Sequence, residues 1–274
     1  MKQIIVSVLR NIASPIAINV YRRLSGKGGF YGNYRSWEEA QKLCSGYDSD
    51  VILNKVKEAA FRVKNGEAAY EQDSVLFDKI QYSWPLLAGL LWIASRNENR
   101  LSLLDFGGSL GTTYFQNVKF LNHLKELRWS IVEQEKFVKC GREYFDNEHL
   151  KFYFDIDECI KAQQPHAILF SGVIQYLEKP YEMLSETLSK GFRQIIFDRT
   201  PFLEIGDDRI TVQKAPPEIY PASYPAWFFN LGKFRDFFSA DYEILAEFDT
   251  PESFDLGEIR NSRGKGFIFC KKEA

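Results

Sequence analysis

Five short runs in the second half of the chain are apolar enough to be buried strands: "LSLLDF" (101–106), "RWSIVE" (128–133), "LKFYF" (150–154), "HAILFS" (166–171) and "RQIIFD" (193–198). Apolar residues at helical spacing fill the intervals, at 110–125, 134–146, 156–163 and 179–190. Such alternation predicts an α/β fold, a parallel sheet with helices on both faces. The tail departs from it. "YEILAEFD" and "GKGFIFCKK" are strands joined by a polar turn region without a helix, so they are expected to pair antiparallel. The sum is a mostly parallel seven-stranded sheet, over 99–274, closed by a C-terminal antiparallel hairpin.

Residues 36–98 read as helical. "SWEEAQKLC" offers Ser36 as an N-cap with Glu39 three residues on, a capping-box pattern. "DSDVILNKVKEAAFRVKNG" has helical spacing and stops at Gly66. "DSVLFDKIQYSWPLLAGLLWIAS" is mostly apolar and expected to break near Pro85. Residues 1–98 are therefore expected to form an N-terminal helical region.

Composition narrows the class. A chain of 274 residues, 45% apolar and 15% aromatic, buries a substantial core. A net charge of -2 gives no reason to expect nucleic acid. Cys44, Cys140, Cys159 and Cys270 are scattered without a CxxC pair, which argues against a disulfide framework or a metal site and for a reducing, cytoplasmic setting. From Met1 to Trp37 the chain has no acidic residue but carries Lys2, Arg10, Arg22, Arg23, Lys27 and Arg35. Arg10, Asn11 and Pro15 interrupt its apolar run, so it is too broken to span a membrane, and it lacks the core of a signal peptide. Two expectations remain for 1–27: an arm packed on the body or on a second subunit of a homodimer, or a basic segment in peripheral contact with a membrane.

The chemistry starts at "DFGGSLG". Ligands of open parallel sheets sit at the carboxyl ends of the strands, and the first strand ends there in Asp105-Phe106. Gly107, Gly108 and Gly111 let the backbone turn and approach a ligand, with Ser109 between them, and the next helix points its N-terminus at the same place. A P-loop would need Lys-Ser/Thr after the last glycine, and a dinucleotide fingerprint would need glycine where Phe106 stands. A carboxylate at Asp105 suits a ligand with an ammonium group, which favours S-adenosylmethionine over NAD. Glu133 closes the second strand, where an acid accepts both ribose hydroxyls. Asp155, after the third, is placed near the adenine.

These features resemble the class I S-adenosylmethionine-dependent methyltransferases. "LLDFGGSLGTTYFQ", "FSGVIQYLEKP" and "SYPAWFF" are similar to a bacterial methyltransferase family associated with surface-polysaccharide gene clusters, and "FYGNYRSWEEA" and "AAYEQDSVLFD" extend the likeness upstream. The resemblance implies a Rossmann-like fold, S-adenosylmethionine as cofactor and a sugar or other small polar acceptor. The class usually has a Gly-x-Gly core, whereas Gly107-Gly108-Ser109 shifts the second glycine by one.

The acceptor is expected beside the fourth and fifth strand ends. Ser171 and Gly172 end the fourth, followed by Gln175 and Tyr176 as pocket residues; Asp198 and Arg199 end the fifth. A segment rich in proline and aromatic rings follows at about 200–230 and is expected to act as a stiff lid. Within it Arg209, Gln213 and Tyr224, together with Arg199, are candidates to read a polar or phosphorylated acceptor. Asp198 and Tyr176 are the candidate bases, since His123, His149 and His166 fall away from the carboxyl ends. Tyr70 and Asp73 are expected near the glycine loop. An NAD-dependent sugar oxidoreductase or epimerase, and a non-catalytic methyltransferase-like binding protein, are the alternatives.

Overall fold

The computed structural model describes residues 29–45, 49–215, 222–252, 254, 256 and 262–273. The basic arm at 1–27 and Pro216, Pro217 and Pro221 lie outside the described residues. In chain order the elements are β1 (Gly29–Tyr34), α1 (Trp37–Gln41), α2 (Ser49–Lys64), β2 (Tyr70–Gln72), β3 (Val75–Phe77), α3 (Trp84–Ser95), β4 (Arg100–Phe106), α4 (Thr112–Leu121), β5 (Glu126–Val132), α5 (Glu135–Tyr144), β6 (Leu150–Tyr153) and α6 (Ile156–Gln163). They continue with β7 (Ala167–Ser171), a 3-10 turn (Ile174–Tyr176), α7 (Pro180–Lys190), β8 (Gln194–Leu203), β9 (Arg209–Lys214), β10 (Ser223–Asn230), α8 (Leu231–Phe238), β11 (Tyr242–Asp249) and β12 (Ser262–Lys271).

Seven strands run β6-β5-β4-β7-β8-β12-β11. The first five are mutually parallel, β12 is antiparallel to β8, and β11 is antiparallel to β12. This is the α/β, Rossmann-like sheet with a C-terminal hairpin that the strand pattern predicts. Alternation along each strand feeds two cores: Leu103 and Ile196 pack on one face, Leu104 and Phe197 on the other.

Two expectations upstream and downstream of this sheet are corrected. The described residues of the 200–230 segment, expected as a stiff lid, are mostly strands rather than an irregular connection. Its residues continue β8 and form β9 and β10, and β1 pairs antiparallel with β9, so the sheet grows to ten strands. Ile210, Val212, Ala226 and Phe228 are buried at alternate positions, the period of a strand rather than a loop. Nor is the region before residue 99 all helix. Asp73 and Ser74 both sit in the left-handed region (φ 52° and 66°) and close a two-residue β2–β3 hairpin. Pro85 does not break a helix there but starts one, at the first turn of α3, where its missing N–H costs nothing. The N-cap at Ser36 is present, its hydroxyl accepting the Glu39 N–H.

Candidate active site

The glycine loop follows β4 directly. Gly107 has φ +70°, and a β-carbon there would lie 2.4 Å from the Val173 side chain; one on Gly108 would lie 2.6 Å from the Asp105 carboxylate. Both positions therefore exclude a side chain, and the backbone is left bare toward the cleft. Gly111 (φ +104°) caps α4 and turns the chain, away from the cleft lining. Glu133 stands across the loop. Its carboxylate accepts the Gln134 N–H at 2.6 Å and the Ser109 N–H, while burial pushes its pKa up.

Around this loop lies an outer cleft of about 710 Å³, which Gly107, Gly108, Ser109, Glu133, Ser171, Gly172 and Tyr224 help to line. An inner chamber of about 220 Å³ lies beside it, lined among others by Tyr70, Gln175, Asp198 and Glu252. Asp73, Thr113, Ser171, Tyr176, Arg199 and Gln213 line both, so the two spaces meet at these six residues. Tyr176 donates its hydroxyl to Gln213 Oε1 at 2.7 Å, and its ring meets Tyr224 edge-on.

Three further sequence-level candidates lie elsewhere. Asp105 is fully buried beneath the loop, one carboxylate oxygen taking the Trp129 indole N–H at 3.0 Å, and it lines neither space. It supports Gly108 from below rather than facing a ligand's ammonium group. Asp155 caps α6 by accepting the Glu158 N–H at 2.7 Å, an ordinary helix-start task. Arg209 bonds the Gly32 carbonyl at 2.9 Å and ties β1 to the sheet instead of reading an acceptor. His123, His149 and His166 line neither space, as their positions along the chain predict.

A β-bulge brings Asp198 and Arg199 together. In a regular strand these neighbours would face opposite sides of the sheet. Here the β8–β12 register shifts between Lys265 and Phe267, and Arg199 adopts φ +55°. Both side chains consequently reach the chamber. Gly266 lies opposite, where a β-carbon would come within 2.8 Å of the Phe197 carbonyl. Left-handed backbone at a non-glycine residue costs about 1–2 kcal/mol, strain of the kind held at functional sites.

Several lining residues escaped the sequence reading. Glu71, adjacent to the predicted Tyr70, accepts the Thr112 hydroxyl and the Ser74 N–H and lines the outer cleft. Glu252 pairs with Arg199 at 3.2 Å from the distant β11–β12 connection, and Ser83 donates to Asp198 at 3.4 Å. Only the pairing of β12 with β8 brings Glu252 here, and no local pattern announces it.

Burial pushes Glu71, Asp105 and Asp198 each up to about 7. The folded chain thus holds protons that the unfolded chain releases near pH 4. More protons are bound in the native state between about 4 and 7, so the stability from these groups is full below that window and lost as pH rises through it. In scanning calorimetry the ligand-free protein is expected to show this as a Tm lower at about pH 8 than at about pH 5. A Tm that climbs across the window would contradict the buried placement.

No protein-family model and no curated protein sequence matches the chain. Solved structures resemble it. The N-terminal domain of EvdMO1, in the presence of SAH and D-fucose, has a TM-score of 0.48 and 11% identity over 82% of this chain and 98% of its own. Magnesium protoporphyrin IX methyltransferase (ChlM) from Synechocystis, with bound SAM, gives 0.45 and 13% over 69% and 77%. The 1,6-didemethyltoxoflavin-N1-methyltransferase of Burkholderia thailandensis gives 0.41 and 8% over 84% and 92%. At these identities the likeness is one of architecture, and no residue role transfers.

Proposed function

We propose that the protein is an S-adenosylmethionine-dependent methyltransferase acting on a small polar acceptor, a sugar or polysaccharide precursor being the class that the sequence resemblance implies. One observation carries this: a large cleft around a bare glycine loop opens, at six shared residues, onto a smaller polar chamber holding a buried carboxylate. That is the layout needed to hold a cofactor and an acceptor end to end. The residues fit the cofactor. Gly107 and Gly108 form a cradle that a side chain would fill, the N-terminus of α4 faces it, and Glu133 suits the ribose hydroxyls.

When bound, the cofactor supplies an electrophilic methyl group on a positively charged sulfonium, a good leaving group. The chain has to align the acceptor atom within about 3–3.5 Å of that carbon and keep water out. Tyr176, fixed by Gln213, shapes the junction. Asp198, pushed up to about 7, is the base we assign to receive the acceptor's proton at its free carboxylate form. Phe106, where a dinucleotide site needs its first glycine, weighs against the NAD-dependent alternative. The four cysteines are free, which supports the cytoplasmic setting.

Incubation with methyl-labelled S-adenosylmethionine and a library of sugars and sugar nucleotides tests the activity. Label transfer to one acceptor class, with release of S-adenosylhomocysteine, is the expected result. Tight homocysteine-product binding without turnover on any acceptor would instead establish the non-catalytic binding protein.

A further inference from the structure

The inner chamber is unbalanced in both charge and hydrogen bonding. Among the described residues, its charged lining is Asp73, Asp198 and Glu252 against Arg199 alone. Arg199 is already engaged, by Asp73 at 3.1 Å and Glu252 at 3.2 Å. A phosphate entering here would face three carboxylates and a guanidinium whose charge is spent, so Arg199 is no phosphate reader.

Several donors lining the chamber are consumed within the protein, while the buried Nε of Arg199 faces Glu252 as an ion pair without a hydrogen bond. Tyr70 donates to Gln72 Oε1, Tyr176 to Gln213 Oε1 and Ser83 to Asp198. The side-chain amides of Gln116 and Gln175 donate to the Gln81 and Arg199 carbonyls. Acceptors remain over. Gln175 is 2% exposed and its Oε1 has no partner, and Glu252 Oε2 is likewise buried without one. A buried polar atom left unpaired costs about 1–3 kcal/mol, which a ligand bringing N–H and O–H groups would recover. Phe30, Phe77, Tyr82 and Phe254 add ring faces, against which a cation or a sugar face packs well. At about 220 Å³ the chamber is smaller than the ~300–1,000 Å³ of drug-sized sites, which limits its occupant to about one ring. Among the described residues no group of three or more His, Cys, Asp or Glu is placed to hold a metal ion.

We propose that the inner chamber takes a single hydroxylated ring bearing an amino group, the ammonium between Asp198 and Glu252 and a donor on Gln175 Oε1, and that it rejects anionic rings. Naming this occupant the methyl acceptor rests on the methyltransferase reading.

Calorimetric titration of the full chain, with and without S-adenosylhomocysteine, tests it using glucosamine, N-acetylglucosamine, glucose and glucose 6-phosphate. Glucosamine is expected to bind about tenfold or more tighter than the two neutral sugars, the value of one good charge-assisted contact, and the phosphate not at all. Glu252→Gln should erase the preference for the amine, bringing glucosamine down to the affinity of glucose; Gln175→Leu should weaken both. Should either variant fail to fold, the wild-type ranking decides alone. Equal binding of the four, preference for the phosphate, or binding of none overturns the proposal. If the homocysteine product binds while the ranking fails, the substrate class is wrong and the cofactor reading stands. If the ranking holds while that product does not bind, the chamber's ligand class stands and the methyltransferase reading falls.

Discussion

Asp198→Asn is expected to lower the rate of methyl transfer by about 10²–10⁴-fold, the range for loss of a positioned base, while leaving S-adenosylhomocysteine affinity unchanged. Asp198 is 2% exposed, lines the inner chamber and not the outer cleft, and has Ser83 as a donor at 3.4 Å. Asparagine keeps an oxygen for that donor and removes a charge that burial and Glu252 already disfavour. The fold should therefore persist, with a Tm above pH 7 no lower than wild type. In the wild type the rate should fall as pH drops through about 7, because the base must be ionised to accept a proton. A variant with wild-type turnover and an unchanged pH profile would remove Asp198 from the chemistry.

Gly108→Val is expected to weaken S-adenosylhomocysteine binding by about 5–150-fold, corresponding to ~1–3 kcal/mol of overpacking. The added β-carbon would meet the Asp105 carboxylate at 2.6 Å, and that carboxylate is fully buried and fixed by Trp129. Relief has to come from the loop, which moves toward the cleft. Gly66→Ala is the control. It shares a positive φ (+76°) but has nothing within 4 Å, so it should cost stability and not affinity. Equal loss of ligand affinity in both variants would show that general destabilisation, not the cradle, is being measured.

Much of this was legible in the chain. Strand ends at Phe106, Val132 and Ser171, with Asp198 of β8 paired beside Ser171, bring the residues next to them to one edge of the sheet, because parallel strands align their carboxyl ends. Hence Gly107, Glu133, Gly172, Tyr176 and Arg199, picked by counting along strands, all line the outer cleft. Asp105 misled because position alone cannot tell a side chain facing the cleft from one beneath the loop. The indole of Trp129, one strand over, decides that. Asp155 misled because a helix cap and an adenine contact ask for the same residue type at the same place. The 200–230 segment reads as irregular because of its prolines. Yet β10 pairs β8 only at Phe229 and Asn230, so on that side Pro225 has no ladder hydrogen bond to lose, and aromatic residues pack as well in strands as in loops. The β8 bulge was not legible at all. It depends on Gly266 in a strand distant along the chain.

The central claim is that the outer cleft holds S-adenosylmethionine through the glycine loop and Glu133. Calorimetric titration with S-adenosylhomocysteine, with NAD as control, on the wild type and Glu133→Ala tests it most directly. The account predicts micromolar binding of the homocysteine product, no binding of NAD, and marked weakening by the substitution. No binding of the product, with clear binding of NAD, would contradict it and return the cleft to an oxidoreductase.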